Sequence, residues 1–244
     1  MCKSEKISSF IDLTSLNAFD SSKSNEAFIQ KAIENKKKGF NVAAVCLYPN
    51  FAQLAKTALK GTGIRTAVVA GSFPSSQSFL STRLNECEMA LNAGADEIDV
   101  VLNLGAFDEG DFEQAQKEIT AFKGLMPNKV LKVILETGYL KTEGRITKAA
   151  QIAIDGGAGF IKTSTGKEFP GATIKAVETM AHVIKKHREQ TGKTIGLKVS
   201  GGVRTKDQAT QYIDAVAVIL GNEFIHPATF RIGASSLLKD LMNG

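Results

Sequence analysis

The sequence predicts a (β/α)8 barrel. Three observations carry that expectation. Eight short apolar runs are each followed by a longer amphipathic segment, several of the runs are apolar on both faces, and glycine turns recur at equivalent places in the unit. Strands that are apolar on both faces suit a fully covered parallel sheet. The 244 residues fit one such barrel, expected as one domain over residues 1–244.

The elements follow in order. The run Ile7–Leu13 is expected as the first strand, with Asn25–Lys38 as its helix. Asn41–Leu47 is the second strand and Asn50–Lys60 the next helix. Ile64–Ala70 precedes a helical pattern over Ser76–Ala93, which ends in the turn Ala93-Gly94-Ala95-Asp96. Glu97–Leu102 is followed by Phe112–Gly124. Lys129–Leu135 is followed by Thr142–Asp155, which closes on Gly156-Gly157-Ala158-Gly159. Gly159–Thr163, Thr194–Val199 and Thr229–Gly233 complete the strands, followed by helices at Thr173–Gln190, Lys206–Ile219 and Ser235–Met242. No linker or low-complexity stretch marks a domain boundary. An open doubly wound sheet is the alternative, but no G-x-G-x-x-G follows the first strand.

Composition excludes several classes. The apolar fraction of 43% supports a sizeable core. No apolar run is long enough to cross a bilayer, and no signal segment opens the chain, so the expectation is a cytoplasmic protein with no membrane partner. Cys2, Cys46 and Cys87 are widely spaced and form no C-x-x-C pair, which fits a reducing compartment. The net charge of +5 is carried by clusters such as Lys36-Lys37-Lys38 and Lys185-Lys186-His187-Arg188. With no tryptophan and no interleaved aromatics, these read as solvated helix faces and not as a nucleic-acid surface. A mild positive field also gathers anionic metabolites. His182, His187 and His226 lack zinc spacing.

The lysines carry the chemistry. Lys162 lies at the end of an apolar run, in Phe160-Ile161-Lys162-Thr163-Ser164-Thr165-Gly166. Lys198 sits likewise in Ile195-Gly196-Leu197-Lys198-Val199-Ser200, and Lys132 in Leu131-Lys132-Val133. Burying an ammonium is costly, so a strand-borne lysine needs a reason. Alternation groups Glu97 with Asp99 and Val101, Lys132 with Ile134 and Glu136, Phe160 with Lys162 and Ser164, and Gly196 with Lys198 and Ser200. If these faces point inward, Asp99, Lys132, Lys162 and Lys198 meet on four successive strands. A like charge about 4 Å away costs ~4 kcal/mol at an effective dielectric near 20, which is roughly three pKa units. One lysine could thus be held neutral, and a neutral lysine forms a Schiff base with a carbonyl. The plainer alternative for each lysine alone is a salt bridge to Asp99 or Glu136.

Three glycine-bearing loops follow the last strands. They are Thr163-Ser164-Thr165-Gly166-Lys167, Ser200-Gly201-Gly202-Val203-Arg204 and Gly233-Ala234-Ser235-Ser236. Glycine lets backbone amides approach an anion, and barrels often hold phosphate after strands seven and eight. Cys46, in Val45-Cys46-Leu47, reads as a packed small hydrophobe.

At these residues the chain resembles the deoxyribose-phosphate aldolase family. The resemblance runs nearly end to end, from Ile11-Asp12-Leu13-Thr14 through Ala95-Asp96-Glu97-Ile98-Asp99-Val100-Val101 and Leu131-Lys132-Val133-Ile134-Leu135-Glu136-Thr137-Gly138. It continues through the Lys162 and Lys198 segments to Arg231-Ile232-Gly233-Ala234-Ser235-Ser236. It implies a (β/α)8 barrel and a class I aldolase acting in deoxynucleoside breakdown, with no cofactor. Such an enzyme cleaves 2-deoxy-D-ribose 5-phosphate reversibly to acetaldehyde and glyceraldehyde 3-phosphate. It implies the Schiff base on Lys162, the pKa-lowering charge on Lys198, and a proton relay through water on Asp99 with Lys132 nearby. It implies phosphate against Gly166, Gly201, Gly202, Ser235 and Ser236, in loops that also bring Thr165 and Lys167 to the substrate, and Cys46 beside it. Expected partners are a small sugar phosphate and aldehydes. The assembly stays open between homodimer and homotetramer. Departures are Val199 where the family commonly has alanine, no lysine after Gly105-Ala106, and an end at Leu241-Met242-Asn243-Gly244 where some members have a tyrosine tail. The rival readings are a Schiff-base aldolase for another sugar phosphate and a sugar-phosphate sensor without catalysis.

Overall fold

The structure, a computed structural model, describes residues 3–243. Parallel strands β1 (Ile11–Thr14), β2 (Ala44–Leu47), β3 (Arg65–Val69), β4 (Glu97–Val101), β5 (Val130–Ile134), β6 (Phe160–Lys162), β7 (Gly196–Ser200) and β8 (Phe230–Ala234) close in chain order. The (β/α)8, or TIM, barrel expected from the sequence is therefore the fold. Around it run α1 (Lys3–Ser8), α2 (Ser22–Lys37), α3 (Ala52–Ala58), α4 (Leu80–Asn92), α5 (Leu104–Asp108) and α6 (Phe112–Leu125). They continue with α7 (Thr137–Leu140), α8 (Glu143–Asp155), α9 (Ile174–Thr191), α10 (Lys206–Leu220) and α11 (Leu237–Asn243). None of these helices is long and apolar enough to cross a membrane.

Period-two alternation divides every strand into two faces. The outward set, including Val45, Val68, Ile98, Val100, Leu131, Val133, Ile161, Leu197 and Val199, packs with helix residues such as Ile29, Ile119, Ala149 and Met180 in one cluster. Each such aliphatic side chain contributes about 1.5–3 kcal/mol by leaving water. The inward set differs in kind. Ala44, Cys46, Ala67 and Val69 form a separate small cluster with Leu16. The rest of the interior mixes apolar residues such as Val101, Ile134 and Phe160 with buried charges: Asp12, Glu97, Asp99, Lys132, Lys162, Lys198 and Arg231. Helix starts are fixed locally, as where Thr173 caps α9 by accepting from the Ala176 amide, and Thr205 caps α10 in a capping box.

Three expectations need correction. Residues 3–8 form a helix, so the first strand starts at Ile11 and not Ile7. Ile7 and Phe10 are both buried, and their spacing of three serves a helical turn as well as a strand. The helix expected from Ser76 begins at Leu80, because Ser76 has φ 61 and cannot enter a right-handed helix. The helix expected from Ser235 begins at Leu237. The short helices α5 and α7 have no sequence signal, since neither is long enough to show a period. Cys46 and Cys87 are free and buried, whereas Cys2 lies outside the described residues.

Candidate active site

Strand register brings the charged residues together. Asp99 pairs in register with Lys132 across β4 and β5. Lys162 pairs with Lys198 across β6 and β7, and Lys198 with Arg231 across β7 and β8. A row of three cations on β6–β8 thus faces carboxylates carried by β1 and β4. Gly233 makes room for it: a Cβ there would lie 3.1 Å from Lys198 Cε.

Asp99 is the hub. Its Oδ2 accepts from Lys162 Nζ at 2.9 Å and from Lys198 Nζ at 2.8 Å, and its Oδ1 accepts from Lys132 Nζ at 2.9 Å. The four residues singled out from strand alternation therefore meet at one carboxylate. Lys198 has a second anion, Asp12 Oδ2, at 2.6 Å. Lys132 has two more, Glu97 Oε2 at 2.6 Å and Asp12 Oδ2 at 3.4 Å. Among the described residues Lys162 has Asp99 alone within ion-pair distance.

That inequality sets the protonation states. Burial disfavours charge on all three lysines. For Lys198 and Lys132 the surrounding carboxylates outweigh burial and push the pKa above the ordinary lysine value. For Lys162 burial dominates; Asp99 opposes it, Lys198 adds to it, and the pKa is lowered. The like charge of Lys198, expected from the sequence to lower it, contributes, but burial comes first. Burial would also raise Asp99, but Lys132, Lys162 and Lys198 together hold it well below the usual carboxylate range.

Among the described residues Glu136 forms no salt bridge with a lysine, and Lys162 acts on it only at longer range. Glu136 follows β5 with φ 58, in the left-handed region, so the alternation that would align it with Lys132 ends at Ile134. Its Oε2 accepts from Thr165 Oγ1 at 2.5 Å, and its carboxyl also accepts from the Thr165 amide. Burial raises its pKa against these hydrogen bonds. Glu136 thereby anchors the loop that follows Lys162.

Lys162 and Lys198 open onto a cavity of about 260 Å³ at the C-terminal ends of the strands. Thr165, Gly166, Lys167, Gly201, Gly202 and Ser235 line it. Two of the loops touch backbone to backbone: a Cβ on Gly171 would lie 1.8 Å from the Gly201 carbonyl oxygen. Lys167 Nζ donates to the Leu16 carbonyl across the mouth. Ser236 follows Ser235, is exposed, and does not line the cavity. Cys46 also lies off the lining, fully buried in the small apolar cluster of the barrel, where burial pushes its thiol up. The sequence motifs contained Asp12, Glu97 and Arg231 without giving them roles. Among the described residues no group of three or more His, Cys, Asp or Glu side chains could hold a metal ion.

Comparison with known proteins follows the same lines. The model of the DeoC/LacD family aldolases matches residues 7–242. The chain is 39% identical to the human deoxyribose-phosphate aldolase, across 97% of this chain and 78% of that protein. The mouse deoxyribose-phosphate aldolase matches to the same extent, 39% across 97% and 78%. Among solved structures, the tetrameric deoxyribose phosphate aldolase of Aeropyrum pernix superposes with a TM-score of 0.80 at 25% identity, covering 98% of this chain and 91% of that one. By sequence and by fold, the chain belongs to the DeoC/LacD family of aldolases.

Proposed function

We propose that the protein is a class I aldolase that reversibly cleaves 2-deoxy-D-ribose 5-phosphate to acetaldehyde and D-glyceraldehyde 3-phosphate, through a Schiff base on Lys162. The observation that carries this reading is the single-anion environment of Lys162 at the floor of a glycine-lined cavity. Membership of an aldolase family, and relatives named for this substrate, support it.

The unprotonated Lys162 nitrogen attacks C1 of the open-chain sugar, and the carbinolamine loses water to give an iminium. Removal of the C3 hydroxyl proton then breaks the C2–C3 bond. The electron pair moves onto the iminium, leaving an enamine of acetaldehyde on Lys162 and releasing glyceraldehyde 3-phosphate. Protonation at C2 restores the iminium, and water releases acetaldehyde. Asp99 stays ionised under Lys132 and Lys198, so it orients the Lys162 nitrogen and a proton-carrying water. Thr165, Gly166, Lys167, Gly201, Gly202 and Ser235 receive the phosphate, whose binding energy positions the reacting end. This chemistry calls for no added cofactor, because the imine supplies the electron sink.

The test is reduction with borohydride in the presence of acetaldehyde, followed by peptide mass mapping. An ethyl adduct on the peptide holding Lys162 is expected. An adduct confined to another lysine, or full activity in Lys162→Ala, would overturn the reading.

A further inference from the structure

The buried well holds four cations, Lys132, Lys162, Lys198 and Arg231, against three carboxylates, Asp12, Glu97 and Asp99. Buried charges persist when they are balanced. The set balances if one cation gives up its proton, and an arginine does not. Arg231 makes the count odd. It is 2% exposed on β8, away from the cavity lining. Its guanidinium donates to Asp12 Oδ1 at 2.6 Å, to Glu97 Oε1 at 3.0 Å and to Glu97 Oε2 at 3.3 Å. Those are the two carboxylates that Lys162 does not reach.

We infer that Arg231 is a positioning residue that sets the protonation of Lys162: it occupies Asp12 and Glu97, leaving the lysines one anion too few. The inference rests on Lys162 being the Schiff-base lysine. Every group facing the pair is consistent with it. Lys162 faces Asp99 from β4 and feels Lys198 from β7 and Cys46 from β2. Glu136, beyond β5, is bound by Thr165, and its carboxyl interacts with Lys162 only at a distance beyond an ion pair. Arg231 faces Asp12 from β1, Glu97 from β4 and Lys132 from β5, with the Phe160 ring 5.7 Å away. Arg65 on β3 also reaches Glu97, at 3.4 Å, but its side chain is 51% exposed and water screens it.

The experiment is the pH dependence of borohydride trapping on Lys162. Arg231→Met leaves three carboxylates for three lysines, so Lys162 keeps its proton to higher pH. At an effective dielectric near 20, a unit charge about two ion pairs away moves the acid limb up by roughly one pH unit. Arg231→Lys keeps the charge and should leave the limb in place. Glu97→Gln removes an anion and should move the limb down, and the double variant Arg231→Met with Glu97→Gln should return it toward wild type. A purely structural Arg231 would lower yield or stability without moving the limb. An unmoved limb in folded Arg231→Met overturns the inference. If that variant does not fold, an unmoved limb in Glu97→Gln overturns it. Trapping on a different lysine in wild type would instead reject the functional reading beneath it.

Discussion

Asp96 and Asp99 stand three residues apart at β4, and each is held by lysines. Asp96 accepts from Lys56 at 2.7 Å and lies 3.4 Å from Lys129, with its side chain 24% exposed at the opposite end of the barrel from the cavity. Asp99 is fully buried and takes three lysines within 2.9 Å. Burial would raise both carboxyls; Lys56, the Thr66 amide and Lys129 prevail at Asp96 and three lysines at Asp99, and both pKa values are lowered. The consequences differ because the Asp96 side chain is partly exposed to solvent and the Asp99 side chain is not. At Asp96 solvent screens each charge, so the pairs are nearly independent. At Asp99 no charge can be changed without altering its neighbours' proton affinity. The same pairing holds an edge of the fold at one position and surrounds the proposed nucleophile at the other.

Removing the hub should separate the two most. Asp99→Asn leaves buried ammonium groups sharing too few anions, which should cost about 3–5 kcal/mol of stability. Activity should fall by more than about a hundredfold, since Lys162 loses its orienting group. Urea unfolding with steady-state kinetics would measure both. A stability within about 1 kcal/mol of wild type would place Asp99 with Asp96 as a screened surface pair.

Lys198→Leu tests the coupling itself. Lys198 and Lys162 share one oxygen of Asp99, and losing the Lys198 charge raises the Lys162 pKa. The amine must be neutral to react, so the acid limb of activity should move up by about two pH units. Activity at neutral pH should drop and partly recover in alkali. Lost activity with an unmoved profile would assign Lys198 to positioning alone.

Ser235→Asp moves outward to the cavity wall, where charge is again wetter. A carboxylate beside the phosphate should weaken use of deoxyribose 5-phosphate by at least about tenfold, while leaving unphosphorylated deoxyribose within about threefold. Ser236→Asp should do less, because Ser236 is off the lining. Equal loss on both sugars would mean that the loop supports the barrel and does not hold phosphate.

The smallest effect belongs to Asp96→Asn, expected to cost about 1 kcal/mol or less with unchanged kinetics. Asp96 titrates lower in the folded chain than unfolded, so its contribution is present above the unfolded value. It is lost as pH falls through the folded one. The stability gap between wild type and Asp96→Asn should therefore close in acid. A gap that persists would assign the effect to the neutral bond from the Thr66 amide, at 3.1 Å.

The sequence by itself determined the alternation of strands and helices, the inward faces, and the placing of Lys132, Lys162 and Lys198 on them, because side-chain direction in a strand repeats every two residues. It also displayed the glycines that end the strands. It did not show which lysine lacks anions. That depends on Asp12 meeting Arg231, 219 residues away, and on Glu97 meeting Arg231 across the barrel. Nor did it show Glu136 turning away to Thr165, since a left-handed φ at one residue breaks the alternation without a mark in composition. Local period is written in neighbouring residues. The sharing of buried charge is a property of the closed barrel, where strands distant in the chain face one another in a space that holds little water.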